Sequence, residues 1–344
     1  MSELSNLYKL DGRVPVAKAF PFGLQHVLAM LVSNITPIII LANAAGLPKE
    51  ISAMLIQNCM IIAGIGTLIQ LYPLWRIGSR LPIVMGISFT FLSISISIAV
   101  SHGINALIGA VIVGGLIEGT LGLFARYWVR LIPPIVTATV VTAIGFSLLP
   151  IGANSFAGGM GAADFGSVNN WILGSVTLLT GIIFQVYAKG LMRSLAALIA
   201  LFAGYVVAFC LGMVDLSGIT SQAIFSLPHL MPFKPEFSLG PILSIACIFL
   251  VSATETVGDT SAICSGALHR DATAKELGSS VSCDGFVSSV AGIFGCTPIT
   301  SFSQNVGLIA MSGIINRFTI AIGACTMIVG GVFPVIGFVL TNIP

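Results

Sequence analysis

Apolar residues along this chain come in stretches of near-transmembrane length, separated by short polar islands. They do not follow the alternating pattern of strands or the narrow stripe of a surface helix. A helix needs about 20 apolar residues to cross bilayer hydrocarbon. Reading for such stretches predicts eleven spans, at 22–45, 51–72, 82–100, 104–125, 131–150, 169–188, 193–213, 238–256, 276–295, 300–315 and 318–340. Two longer connections separate them, a Gly-rich one at 151–168 and a Pro-rich one at 214–237.

Two spans are irregular. Residues 80–91 read Arg-Leu-Pro-Ile-Val-Met-Gly-Ile-Ser-Phe-Thr-Phe, and residues 296–307 read Cys-Thr-Pro-Ile-Thr-Ser-Phe-Ser-Gln-Asn-Val-Gly. Each opens with Pro and β-branched residues and then meets a small polar residue near Gly. Pro removes a backbone donor and Gly loosens a helix. Extended backbone at membrane depth survives only where protein or a cavity covers it. The two segments fall in the third span of the chain and the third span counted from 238. That placement predicts an all-α polytopic membrane protein built as an inverted seven-span repeat, with two broken spans containing short extended segments. A full second repeat needs three further spans after 340, so the pattern reads as truncated after span eleven.

The polar islands carry the chemistry. Thr254-Glu255-Thr256-Val257-Gly258-Asp259 and Thr300-Ser301-Phe302-Ser303-Gln304-Asn305-Val306-Gly307 both lie among apolar runs. An acid at a helix centre costs about 2.5–3.5 kcal/mol on insertion. Such groups persist where they face protein, water or a ligand, so each reads as a functional candidate. Glu255 and Asp259 are four apart and share a face of an unbroken helix. Two acids that close in low dielectric cannot both ionise cheaply, which suits one of them to carry a proton. The competing reading places Asp259 at a helix end in water. Asp284 is read as a relay, or as a carboxylate that fixes the neighbouring broken span through its backbone N–H groups. Glu118 has no evident partner and is read as structural or interfacial. Gln304 and Asn305 offer paired donors and acceptors. Gln304 suits a planar neutral ligand, and Asn305 suits a tie between helices. Phe89 can stack on a flat ring from the other broken span. His26 is read as a brace for the site.

Composition agrees. Mean hydropathy is +1.05, 56% of residues are hydrophobic and 8% are charged, against roughly 25% charged in soluble domains. The net charge of +2 gives no reason to expect nucleic acid. Residues 1–18 lack the apolar core and cleavage site of a signal peptide. The basic residues Lys9, Arg13, Lys18, Arg76, Arg80, Arg126, Arg130, Lys189, Arg193, Arg270, Lys275 and Arg317 fall on one side of the predicted topology, and Lys49 and Lys234 on the other. Cytoplasmic loops are rich in Lys and Arg, so a multi-pass protein of the cell membrane with a cytoplasmic N-terminus is expected. The seven cysteines are scattered without a C-x-x-C pair. They read as buried free thiols rather than a metal or disulfide framework.

At these islands the chain resembles the nucleobase–cation symporter-2 family, also called nucleobase–ascorbate transporters. The family signature is Gln, Glu or Pro, then Asn-x-Gly, four variable residues, Thr, and Arg, Lys or Gly. Residues Gln304 to Gly313 match it with Ser312 in place of Thr. Gln25-His26, Ser88-Phe89, the Glu255-x-x-Gly258-Asp259 run and Asp284-Gly285 also look like the family.

The resemblance implies a cytoplasmic segment 1–20, a core domain in two halves (21–130 and 236–344) and a gate domain at 131–235. It also implies a homodimer and an elevator-like movement. It further implies a pocket formed by Glu255, Gln304 and Phe89 with Ser88 and Ser303. Asp259, Asp284, Asn305 and His26 would then serve coupling or site support. Gln304 with Glu255 and Asp259 is similar to the branch that carries xanthine and uric acid. The expected activity is import of an oxopurine by proton symport, without cofactor or bound metal and with sodium as the other candidate ion. Alternatives are a carrier of uracil or another nucleobase and a truncated, transport-inactive member. An intramembrane aspartyl protease would use Gly-x-Gly-Asp, and Thr256-Val257-Gly258-Asp259 lacks the first Gly.

Overall fold

The computed structural model describes residues 3–129, 132–159, 162, 164–214 and 225–341. A 3-10 turn at Glu3–Tyr8 precedes α1 (Val16–Ala44) and α2 (Lys49–Leu71). The third predicted span consists of β1 (Met85–Ile87), a 3-10 turn at Phe89–Phe91 and α3 (Leu92–His102). Next come α4 (Ile104–Leu123), the short α5 (Ala125–Trp128), α6 (Pro134–Phe156), α7 (Val168–Tyr187), the short α8 (Leu191–Ser194) and α9 (Ala196–Cys210). The remainder holds α10 (Leu239–Ala267), α11 (Ala274–Ile293), β2 (Ile299–Ser301), α12 (Ser303–Ser312), α13 (Arg317–Gly331) and α14 (Pro334–Thr341). Among the described helices α1, α2, α4, α6, α7 and α10 are long and apolar enough to cross a membrane. Helix α11 is long but rich in Ser. It is buried along most of its length, so neighbouring protein rather than lipid meets those hydroxyls.

The short extended segments expected inside the two broken spans are present: β1 and β2 form an antiparallel pair with Met85 opposite Ser301, Gly86 opposite Thr300 and Ile87 opposite Ile299. Several other sequence expectations are corrected. Helix α10 runs unbroken to Ala267, beyond the predicted end at 256. Its polar residues look like a terminus in a hydropathy reading, but backbone hydrogen bonding continues while packing covers them. Helix α6 extends to Phe156, into the segment read as a loop. The predicted span 318–340 divides at Val332-Phe333, and Pro334 opens a new helix because it brings no N–H to continue the old one. Cys59, Cys264, Cys283 and Cys296 are buried free thiols, whereas Cys210, Cys247 and Cys325 are exposed. Arg130, parts of both predicted long connections (160, 161, 163 and 215–224) and residues 342–344 lie outside the described residues.

Helix α4 packs along α11, and α2 and α1 pack along α13. Small residues make the first contact possible. A Cβ on Gly285 would sit 2.1 Å from the Gly119 nitrogen, and one on Gly122 would sit 2.3 Å from the Ser282 nitrogen. Such close backbone approach lets dispersion join helices inside a bilayer, where lipid leaves little hydrophobic drive. Helices α6 and α7 instead leave apolar side chains such as Phe146, Leu149, Ile183 and Val186 exposed. That surface suits hydrocarbon.

Candidate functional site

The site grows out of the two strands. A three-residue strand pair inside a membrane leaves N–H groups along its outer edges, and each must find an acceptor. Side chains from three helices supply them. On the β1 edge, Met85 N–H donates to Thr67 Oγ1 of α2 (2.9 Å) and Ile87 N–H to Asn34 Oδ1 of α1 (2.7 Å). On the β2 edge, Ile299 N–H donates to Ser288 Oγ (3.0 Å) and Ser301 N–H to Asp284 Oδ2 (2.8 Å), both on α11. Two further bonds extend the pairing, Ser88 N–H to Pro298 O and Phe302 N–H to Val84 O.

Asp284 is therefore a bracing residue. It is fully buried and accepts from Ser301 N–H, Thr256 Oγ1 (2.6 Å) and Gln70 Nε2 (3.1 Å). Gln70 in turn accepts from the Ser79 N–H and hydroxyl through its Oε1. Gly285 follows because the next position on α11 must turn a bare backbone to α4.

The strands run antiparallel, so the short helices that follow them leave the pair in opposite directions. Their N-termini meet near the pair, and α10 crosses both. One turn apart on α10, the two acids divide between them. Glu255, half-buried, accepts from Thr90 Oγ1 through Oε2 at 2.7 Å, reaching the start of α3. Asp259, buried, accepts through Oδ2 from Ser301 Oγ (2.9 Å) and Ser303 Oγ (3.0 Å), reaching the start of α12. Asp259 is thus not at a helix end in water.

Gln304 follows Ser303 at the start of α12 and is exposed. Its Oε1 accepts from Ser33 Oγ of α1 at 3.1 Å. Gln304 lines a cavity of about 510 Å³ that lies along α12 and is also lined by Ala29, Gln185, Arg193 and Met311. A second cavity of about 480 Å³ lies along α3, between Thr90, Ser97, Ser147 and Val251. The two cavities approach the crossing along the two half-helices, and the Glu255–Asp259 turn stands between those half-helices.

The remaining predicted residues sit around this centre. Phe89 is half-buried in the 3-10 turn and packs against the cluster that holds Phe91 and Phe249. Ser88 caps that turn, its Oγ accepting from Thr90 N–H at 3.3 Å. Asn305 is buried and donates from Nδ2 to the His26 carbonyl (3.3 Å), tying α12 to α1. His26 itself is buried on α1. Glu118 is fully buried in α4, on a helix packed along α10 and α11. Among the described residues no cluster of three His, Cys, Asp or Glu side chains could hold a metal ion.

Sequence reasoning missed Thr90, Ser33, Thr256, Ser301, Gln70 and Asn34. Gln70 and Asn34 carried a usable signal, since each is an amide inside a predicted span. Thr256 and Ser301 lie inside the two polar islands, which marked their neighbourhood without giving them a role, and Thr90 and Ser33 carried no signal because Ser and Thr are common in membrane helices.

A model described as a permease family matches residues 17–344. The uric acid permease PucK of Bacillus subtilis is 35% identical over 324 residues, covering 94% of this chain and 75% of that protein. The xanthine permease of the same organism is 32% identical over 330 residues, covering 95% and 75%. The xanthine permease XanQ of Escherichia coli K12 is 31% identical over 353 aligned positions, covering 98% and 76%. Among solved structures, the transmembrane domain of the cyanobacterial bicarbonate transporter BicA superposes with a TM-score of 0.66. It shares 15% identity and covers 96% of this chain and 88% of that one. That likeness speaks to fold alone. With a strand pair braced at membrane depth, acids at both half-helix starts and these matches along nearly its whole length, this multi-pass membrane chain belongs to the nucleobase–ascorbate transporter family of permeases and is not an enzyme.

Proposed function

We propose that this chain carries an oxopurine, xanthine or uric acid, across the cell membrane in symport with a proton. The observation that carries the reading is the pairing of hydrogen-bond faces at the crossing. Thr90 occupies one oxygen of Glu255 and leaves Oε1 as an acceptor. Ser33 occupies the Gln304 oxygen and leaves Nε2 as a donor. An oxopurine presents adjacent N–H and C=O groups on its ring edge, and an acceptor from α10 together with a donor from α12 can meet both. Phe89 supplies an aromatic face for stacking on the ring. Backbone N–H groups at the start of α12 add donors for a second carbonyl, with Ser88 and Ser303 at the rim.

Asp259 and Asp284 support this arrangement from behind. Asp259 holds Ser303 and Ser301, while Asp284 holds the strand that leads into them. Glu255 is the acid that contacts the base, and its partner Thr90 belongs to the opposite half-helix. A proton on Glu255 would therefore alter both the substrate contact and the tie between α10 and α3. The working unit is proposed as a homodimer with its N-terminus in the cytoplasm. Uptake of radiolabelled xanthine and urate into proteoliposomes, with competition by uracil and with an imposed pH gradient, tests the reading. Accumulation that follows the gradient and resists uracil is expected. Uptake of uracil in preference to both purines, or accumulation driven by sodium alone, would overturn it.

A further inference from the structure

We propose that a cationic cleft at one end of the helix bundle, outside the crossing, binds a phosphate-bearing anion. The cleft measures about 610 Å³ and lies where α2 ends and where α11 and α13 begin. Arg80, Lys275 and Arg317 line it, with Tyr72, Trp75 and Ser79.

The one acid in its lining, Glu276, is already spent. Arg270 binds it through two nitrogens at 2.5 and 3.0 Å, and the Thr273 N–H and hydroxyl bind it too. Among the described residues Arg80 and Lys275 have no ion-pair partner. Arg317 is 6% exposed. One of its terminal nitrogens donates to the Leu71 carbonyl at 2.9 Å and the other binds Asp11, yet its Nε has no hydrogen-bond partner among the described residues. A guanidinium this buried, already held by a carbonyl and a carboxylate, sets a fixed positive charge in the cleft wall beside Arg80 and Lys275. The start of α11 adds backbone N–H groups that favour an anion.

Trp75, 79% exposed, and Tyr72, also exposed, flank the cleft as amphipathic aromatics do at the headgroup level. Basic pockets between helix ends attract anionic headgroups, each cation contributing about a fivefold gain in affinity. A phosphodiester headgroup and free phosphate share the required chemistry.

The full-length purified protein is titrated in neutral detergent with short-chain phosphatidylglycerol, short-chain phosphatidylcholine, inorganic phosphate, and chloride at matched ionic strength. Thermal unfolding is the readout. Stabilisation by phosphatidylglycerol alone assigns the cleft to a lipid, and stabilisation by inorganic phosphate as well assigns it to either source. In the Arg80→Gln/Lys275→Gln variant the concentration needed rises about 30-fold, following the loss of two such cations. Native mass spectrometry of the unmodified protein, counting retained phosphatidylglycerol against phosphatidylcholine, gives an answer even where the variant does not fold. Equal behaviour toward all four additives, or an undiminished effect in the variant, would overturn the proposal.

Discussion

Replacing Asp284 by Asn tests the bracing of the strand pair directly. The carboxylate receives three donors: Ser301 N–H and Thr256 Oγ1 at one oxygen, and Gln70 Nε2 at the other. An Asn side chain keeps the shape but offers one oxygen and one NH₂ group. If its oxygen faces Ser301 and Thr256, its nitrogen faces the Gln70 nitrogen, donor against donor. Gln70 cannot simply turn over, because its own oxygen receives two bonds from Ser79. If Asn turns the other way, the Ser301 N–H on the strand edge is stranded instead. Either outcome leaves a fully buried polar group unmatched, which costs about 1–3 kcal/mol.

The expected result is a lower unfolding midpoint together with reduced uptake. A second change supplies the control. Gln70→Glu in the Asp284→Asn background puts an acceptor opposite the new NH₂ and keeps the Ser79 contacts, but it gives up the bond that Gln70 Nε2 donates to the Ser280 carbonyl. The double variant should recover part of the lost stability, although Gln70→Glu alone should be harmful. Unfolding measured in detergent for all four proteins forms a thermodynamic cycle. Additive effects of the two substitutions would refute the bracing network.

Other tests address the pocket and the packing. Gln304→Ala should weaken oxopurine binding by about 1–3 kcal/mol, the cost of leaving a polar partner unpaired; equilibrium binding with an unchanged dissociation constant would place Gln304 outside the pocket. Glu255→Gln should abolish accumulation driven by a pH gradient while leaving counterflow of unlabelled for labelled substrate measurable; accumulation at the original level would remove Glu255 from coupling. Gly285→Ala places a methyl 2.1 Å from the Gly119 nitrogen and should destabilise the α4–α11 contact. Gly152→Ala, in α6 with open space around it, should instead be neutral or stabilising by up to about 1 kcal/mol on helix propensity. Similar midpoints for these two Gly variants would contradict the close packing.

The sequence by itself determined the membrane class, because hydrocarbon filters for long apolar stretches whatever the packing. It also located both broken spans, since Pro82 and Pro298 with nearby β-branched residues disfavour a helix at those points. The acids and amides stood out for the same reason, being costly in lipid. Only the tertiary structure decided what each of them does. Asp259 and Asp284 look alike in sequence, yet one holds two hydroxyls at the start of α12 and the other closes a strand edge. The end of α10 and the division between α13 and α14 were decided by packing and by a missing N–H, not by hydropathy. The roles of Thr90, Ser33 and Thr256 stayed hidden because a hydroxyl in a membrane helix is usually satisfied by its own backbone, and only folding shows which ones are turned elsewhere.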